Sequence, residues 1–186
     1  MTSPSKKSAS KAPSAQSNGA LGPCPIPKES PLTILIDTRE PLESAYKFPD
    51  EALTERLKLE EGDYTIKGFE GIIAVERKTL SDFASSILLD RYWNEIGRAR
   101  EKGYKSFIIV IEGTMGDIHQ GKYRSEVKPA SLFGAISALA VRGIPAILCD
   151  SRPMAAHYTY TYLKHCWERR YKGVFWPLPE PKEPKK

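Results

Sequence analysis

The chain has 186 residues, 40% of them hydrophobic and 27% charged, with a formal net charge of +5. That composition fits one globular domain of ordinary size plus tails. No apolar run reaches the roughly 18 residues of a membrane span, and no apolar h-region marks a secretory leader. Cys24, Cys149 and Cys166 show neither disulfide nor metal spacing. The expected setting is intracellular and reducing: cytoplasmic in a prokaryote or virus, nuclear in a eukaryote. Residues 1–30 hold four lysines and one glutamate, and residues 177–186 hold three lysines and two glutamates, so residues 31–176 carry about +1. Bulk charge of the central region therefore makes no case for nucleic acid. The tails can add sequence-independent phosphate attraction or act only as solvated tethers.

Residues 1–30 are Ser, Ala, Lys, Pro and Gly with almost no large apolar residue, which predicts a disordered basic tail. Leu32–Ile36 reads as a central buried strand. It delivers Asp37 and Arg39 to its C-terminal end, where α/β sheets commonly place active groups. Pro41–Pro49 reads as a loop. Glu51–Leu59 fits helix or strand, and the alternation of Arg56–Glu60 favours a strand entering a turn at Gly62. Asp63–Ile66 and Ile72–Glu76 pair as a hairpin across the turn Lys67–Gly71. Thr79 caps a helix through Leu88, with Asp82 as its capping-box partner; this gives Asp82 a structural role ahead of a metal role.

A second helix runs from Asp90 to Lys102 and stops at Gly103. Its Arg91, Arg98, Arg100 and Lys102 suit a phosphate backbone or a solvated face, the latter favoured for Arg98 and Arg100. Ser106–Ile111 is a buried strand and Gly113–Lys128 a polar, irregular segment. Pro129 opens a helix through Val141, Ile144–Cys149 is a buried strand, and Ser151 begins a last helix ending near Lys172. That helix carries Tyr158, Tyr160, Tyr162, Leu163, Cys166 and Trp167, more apolar surface than one core face needs. The surplus reads as a dimer surface, against packing inside the chain. The folded domain is expected over residues 31–174, with a Pro/Lys-rich tail over 175–186. The element order defines an α/β fold, a mixed central sheet flanked by helices on both faces. His119, His157 and His165 are scattered, which argues against zinc.

The chemistry concentrates in Gly62–Asp82, GDYTIKGFEGIIAVERKTLSD. Strand alternation puts Glu76 and Lys78 on one face, and the hairpin brings Asp63 beside Glu76. Two adjacent carboxylates repel unless a cation lies between them, and a hard, oxygen-preferring ion such as Mg2+ suits the place. A neighbouring lysine orients water and offsets negative charge. This is equipment for metal-assisted phosphodiester hydrolysis. A bare D-x12-E-x-K spacing belongs more often to a solvent-facing hairpin with ordinary salt bridges.

The pattern is fuller than that spacing. Gly62-Asp63, Glu76-Arg77-Lys78 and Asp82 spell GD-xn-ERK-xxx-D. This string resembles the nuclease domain of the XPF/Mus81 (ERCC4-type) structure-specific endonucleases, a branch of the restriction-endonuclease-like PD-(D/E)XK superfamily. Ile36-Asp37-Thr38-Arg39-Glu40 resembles that family's D-x-R-E strand end. Asp90–Glu95 resembles its G-R-x-x-x-Q helix start, with Asp90 in place of Gly and Glu95 in place of Gln. The resemblance spans roughly Leu32 to Lys172.

It implies a restriction-endonuclease-like sheet and a Mg2+- or Mn2+-dependent endodeoxyribonuclease. Such an enzyme cuts branched DNA (flaps, forks, junctions) in repair or recombination, as a homodimer or heterodimer and without a membrane. It implies Asp37, Asp63, Glu76 and Lys78 as catalytic residues. The metal would be held by Asp37, Asp63, Glu76 and the Arg77 backbone carbonyl. Arg39, Glu40, Arg77, Asp82 and Arg91 would support the site or contact DNA, and the 113–128 segment is a candidate DNA-facing loop. Many members carry a helix-hairpin-helix module after the nuclease. None is expected in the short stretch after the last helix, which leaves the source of DNA affinity open. A second reading is a non-catalytic DNA-binding or scaffolding subunit of a nuclease heterodimer; the intact motif favours the active enzyme. A third, an adaptor using the Tyr-rich helix, has composition alone behind it.

Overall fold

A computed structural model of the chain describes residues 29–88 and 91–170, apart from the side chains of residues 88, 91 and 92. The expected tails lie outside the described residues. The strands are β1 (Thr33–Asp37), β2 (Leu53–Leu57), β3 (Tyr64–Ile66), β4 (Ile73–Thr79), β5 (Ser106–Glu112) and β6 (Ala146–Cys149). The helices are α1 (Leu80–Leu88), α2 (Arg91–Glu101), α3 (Met115–His119), α4 (Pro129–Val141) and α5 (Arg152–Arg169). The sheet has six strands in the order β2-β1-β3-β4-β5-β6. β1 runs antiparallel to β3, and β3 antiparallel to β4; the pairs β1–β2, β4–β5 and β5–β6 are parallel. This is the mixed α/β sheet expected, and helices cover both faces.

Each face has its own core. One gathers Ile34, Ile36, Tyr64, Ile66, Ile73, Val75, Ile108 and Val110 under α5 residues Tyr160, Leu163, Cys166 and Trp167. The other gathers Ala74, Ile109 and Ile111 with Phe83 of α1, Ile96 of α2 and Leu132 of α4. The period-two split of β4 and β5 between these lists follows from strand geometry. Glu76 and Lys78 continue the parity of Ala74, so they point to the side of α1 and α2. Arg77 continues the parity of Val75 and points to the side of α5.

Three expectations change. β2 occupies Leu53–Leu57 rather than Arg56–Glu60. The misleading alternation came from Leu57 and Leu59, which do not share an environment: Leu57 is 45% exposed, Leu59 5%. Lys58–Glu60 leaves the strand because the Leu59 amide turns in to the Asp37 carboxylate, 2.6 Å away. β1 is an interior strand, second from the edge, rather than the centre of the sheet. Within 113–128 the chain forms the short helix α3, closed by a reciprocal Thr114–Asp117 capping box.

The aromatic surplus of the last helix is consumed inside the chain. Tyr160, Leu163, Cys166 and Trp167 are buried, and Tyr158 and Tyr162 pack against the same core. The Tyr160 hydroxyl reaches Glu51 at 3.1 Å, and the Tyr162 hydroxyl meets Ser106. The observation that pointed to a dimer face is therefore gone.

Candidate active site

Gly62 makes the turn that places Asp63. Its φ is +80°, and a Cβ there would meet the Ala74 Cβ at 2.8 Å. Only glycine takes this conformation and this approach without strain. Asp63 then pairs with β4: its amide donates to the Val75 carbonyl at 2.8 Å, and its Oδ2 accepts the Arg77 amide at 2.7 Å. The carboxylate is thereby held beside Glu76. Burial first, and then the Glu76 charge, pushes the Asp63 carboxyl well above its ordinary value. Burial also raises Glu76, with Lys78 opposing and Glu95 adding to the rise.

Lys78 lies in this pair's field. Its Nζ is 2.9 Å from Glu76 Oε1 and 3.0 Å from Glu95 Oε2 on α2. Burial pulls its pKa down, but the two carboxylates outweigh burial and hold it above the usual lysine value. Beside it, the buried Glu61 carboxylate receives Arg98 of α2 and Lys102 of the turn that follows it, each at 3.0 Å. Burial raises Glu61, and the two cations overcome it and hold the carboxyl below its ordinary value. Residues 95 and 98 share one helix face and Lys102 follows just past the helix end, so α2 and its turn close over the end of the hairpin by alternating charge. Arg98 is exposed, on the solvated face expected of it, and it has a specific partner there.

Asp37 has different surroundings. It is fully buried, and its carboxylate accepts the Arg39 amide (2.7 Å), Arg39 Nε (2.7 Å), Arg39 Nη2 (3.1 Å) and the Leu59 amide (2.6 Å). Those bonds outweigh burial and hold its pKa below the ordinary value. The expected cluster of three acids is instead a pair, Asp63 and Glu76, with Asp37 committed to clasping the β1 and β2 ends. Among the described residues, no group of three or more His, Cys, Asp or Glu side chains is arranged to hold a metal. The pair still fits Mg2+, which usually keeps several waters and binds through one or two carboxylates.

Arg77 presents its side chain to the other face. Its guanidinium is 2.6 Å from Glu40 and 2.7 Å from Glu112, with its central carbon 5.4 Å from the Tyr46 ring centre. Glu40 also accepts the Tyr64 hydroxyl at 3.1 Å. At 9% exposure the Arg77 side chain supports β4 rather than contacting DNA. Asp82 caps α1: Thr79 Oγ1 lies 2.6 Å from its carboxylate and accepts its amide at 3.1 Å. Arg91 opens α2; its side chain lies outside the described ones. Lys122 and Arg124 are exposed, as a nucleic-acid-facing segment requires, and the Arg124 amide is fastened to Ser81 at 3.0 Å.

Sequence reasoning missed Glu61, Glu112 and the partnership of Glu95. The 95/98/102 spacing was the available signal; nothing local in the sequence showed which surface that helix face would meet.

A mixed sheet bearing a carboxylate pair and a lysine at the end of its central hairpin is the framework of a DNA nuclease-type α/β domain. The model of the ERCC4 domain matches residues 36–162, and the chain belongs to that family. XPF from Aeropyrum pernix aligns with 74% of this chain at 26% identity and a TM-score of 0.59; the chain spans 66% of that protein. XPF from Aeropyrum pernix in complex with DNA aligns with 80% of the chain, at 25% identity and a TM-score of 0.57, covering 69% of its own length. No curated protein matches the sequence. Among the described residues, no helix is long and apolar enough to cross a membrane.

Proposed function

We propose that this chain is a Mg2+- or Mn2+-dependent endodeoxyribonuclease that hydrolyses phosphodiester bonds in branched DNA during repair or recombination. The observation that carries the reading is the convergence of Asp63, Glu76 and Lys78 from two strands on one face. Two buried carboxylates with raised pKa values, Asp63 through burial and the Glu76 charge and Glu76 through burial with Glu95 adding to the rise, form a place that a divalent cation relieves. The similarity to a protein solved in complex with DNA supports the substrate class.

Asp63 and Glu76 would hold the cation. When bound, it supplies Lewis-acid stabilisation of phosphate charge and lowers the pKa of water. Lys78 places a fixed positive charge at the pair, where it orients the attacking water and offsets charge building on the phosphate. Arg77, through Glu40 and Glu112, holds β4 in the register that keeps Asp63 on its amide. Asp37 and Arg39 fix the backbone beneath, since the Asp37 amide donates to the Asp63 carbonyl at 2.8 Å.

The test is cleavage of flap, fork, duplex and single-stranded DNA with and without Mg2+. Asp63→Asn and Glu76→Gln are expected to abolish metal-dependent cleavage and to keep the parent's circular dichroism. Full activity in either variant would overturn the assignment. Metal-independent binding of branched DNA by an inert parent would favour the scaffolding subunit instead.

A further inference from the structure

Lys78 has two carboxylate partners, and only Glu76 belongs to its own strand. We propose that Glu95 is a positioning residue: it keeps the Lys78 ammonium at the carboxylate pair once Glu76 turns its oxygens to a cation. This rests on the nuclease reading above.

Glu76 serves two positive charges that compete for it. Its Oε1 is 2.9 Å from the Lys78 ammonium, and it is also half of the carboxylate pair. A divalent cation at that pair draws on the same oxygens and repels the ammonium. A lysine held by Glu76 alone would swing away on its flexible four-carbon stem. Glu95 Oε2, at 3.0 Å, supplies a hold that the cation does not contest.

Its geometry suits the task. Glu95 comes from α2, whose Ile96 and Ala99 are buried in the core. Arg98 on the same helix face and Lys102 in the turn after the helix each reach Glu61 at 3.0 Å, so α2 is fixed against rolling. The Lys78 side chain is 10% exposed and Glu95 27%, so the pair is largely shielded from solvent. Charge gives a second argument. Glu60 and Glu61 are balanced by Arg98 and Lys102. Asp63, Glu76 and Glu95 against Lys78 then leave two negative charges, matched by one divalent cation.

The test uses the full chain with Glu95→Ala and Glu95→Gln. Acetylation of Lys78 by an amine-reactive ester is followed by mass spectrometry at saturating Mg2+. Single-turnover cleavage of flap DNA and Mg2+ affinity by calorimetry are read alongside. In Glu95→Ala, Lys78 is expected to label at least about fivefold faster. Cleavage at saturating Mg2+ should fall about tenfold or more, within the range for misplacing one catalytic group, with Mg2+ affinity within about threefold of the parent. Glu95→Gln keeps an acceptor oxygen and should recover most of the rate. If Glu95→Ala does not fold, Glu95→Asp, one methylene shorter, is read in the same way.

Unchanged Lys78 labelling would overturn the proposal whatever the activity. A large loss of Mg2+ affinity in both variants would make Glu95 a metal ligand and overturn it too. If the parent cuts no DNA, the nuclease reading fails while the labelling still decides whether Glu95 holds Lys78.

Discussion

Asp37 and Asp63 touch through their backbones, yet their surroundings drive their carboxyls in opposite directions. Asp37 is wrapped by Arg39 and the Leu59 amide, and its pKa falls below the ordinary 3.8. Asp63 has one amide partner against burial and the Glu76 charge, and its pKa rises. The contrast separates a carboxylate whose partners outweigh burial from one whose burial outweighs its partners. It also fixes a sign. The depressed folded pKa of Asp37 makes it stabilising above its unfolded pKa, near 4, and that contribution is lost as pH falls through the lower folded value. Asp37→Asn is therefore expected to destabilise the protein at pH 7 by about 1–3 kcal/mol, the scale for a buried group losing charge-assisted partners. The deficit should shrink as pH drops below about 4. Urea melts of both proteins across pH 3–7 check this, and a constant deficit would contradict it. Sequence alone distinguished these residues poorly. The motif marked both as acids at strand ends. Which one stays unsatisfied depends on Leu59, whose inward amide comes from a segment that alternation assigned to a strand.

Elements whose signals are local were legible: the hairpin from its Lys67–Gly71 turn, α1 from Thr79 and Asp82, α4 from Pro129 and α5 from Ser151. In each, the residues that set the boundary lie within a few positions of it. β2 was displaced because an exposed edge strand carries no burial pattern to anchor its register. α3 was missed because five residues give too short a period to read. The hairpin also explains why glycine precedes Asp63. A side chain at 62 would press on Ala74 and on the Val75 carbonyl, 3.2 Å from its Cβ, and that carbonyl accepts the Asp63 amide. Gly62→Ala is expected to cost about 1–3 kcal/mol from the left-handed backbone and the clash. It should also reduce cleavage at temperatures where the variant is fully folded, because Asp63 shifts with the turn. Denaturant melts paired with single-turnover assays at 20–25 °C test both halves. A variant as stable and as active as the parent would show that the turn tolerates a side chain.

For the molecule as a whole, two inferences drawn from composition fared differently. The aromatic content of α5 suggested an exposed face, but counting apolar residues along one helix ignores the core between α5 and the sheet, which buries Tyr160 and Trp167 and packs Tyr158 and Tyr162 against it. The charge reading has a physical consequence that the fold sharpens. Residues 31–176 carry about +1, and their interior cations are spent on acids: Arg77 on Glu40 and Glu112, Arg98 and Lys102 on Glu61, Lys78 on Glu76 and Glu95. If the chain binds DNA as proposed, little of the long-range attraction comes from those groups. Lys6, Lys7, Lys11 and Lys28, against Glu29, form a separate positive segment. Each lysine that neutralises a phosphate steepens the salt dependence by about 0.9 in the slope of log affinity against log salt. Replacing these four lysines by glutamine in the full chain is expected to make that slope shallower by about 2–3. Binding should weaken at 50 mM salt and converge with the parent at high salt. The cleavage rate at saturating protein and Mg2+ should not change, because the proposed chemistry rests on Asp63, Glu76 and Lys78. Fluorescence anisotropy on a labelled flap across 50–300 mM salt makes the measurement. Superimposable slopes would place the electrostatic contact on the folded domain after all, with Lys122 and Arg124 as the exposed cations to replace next.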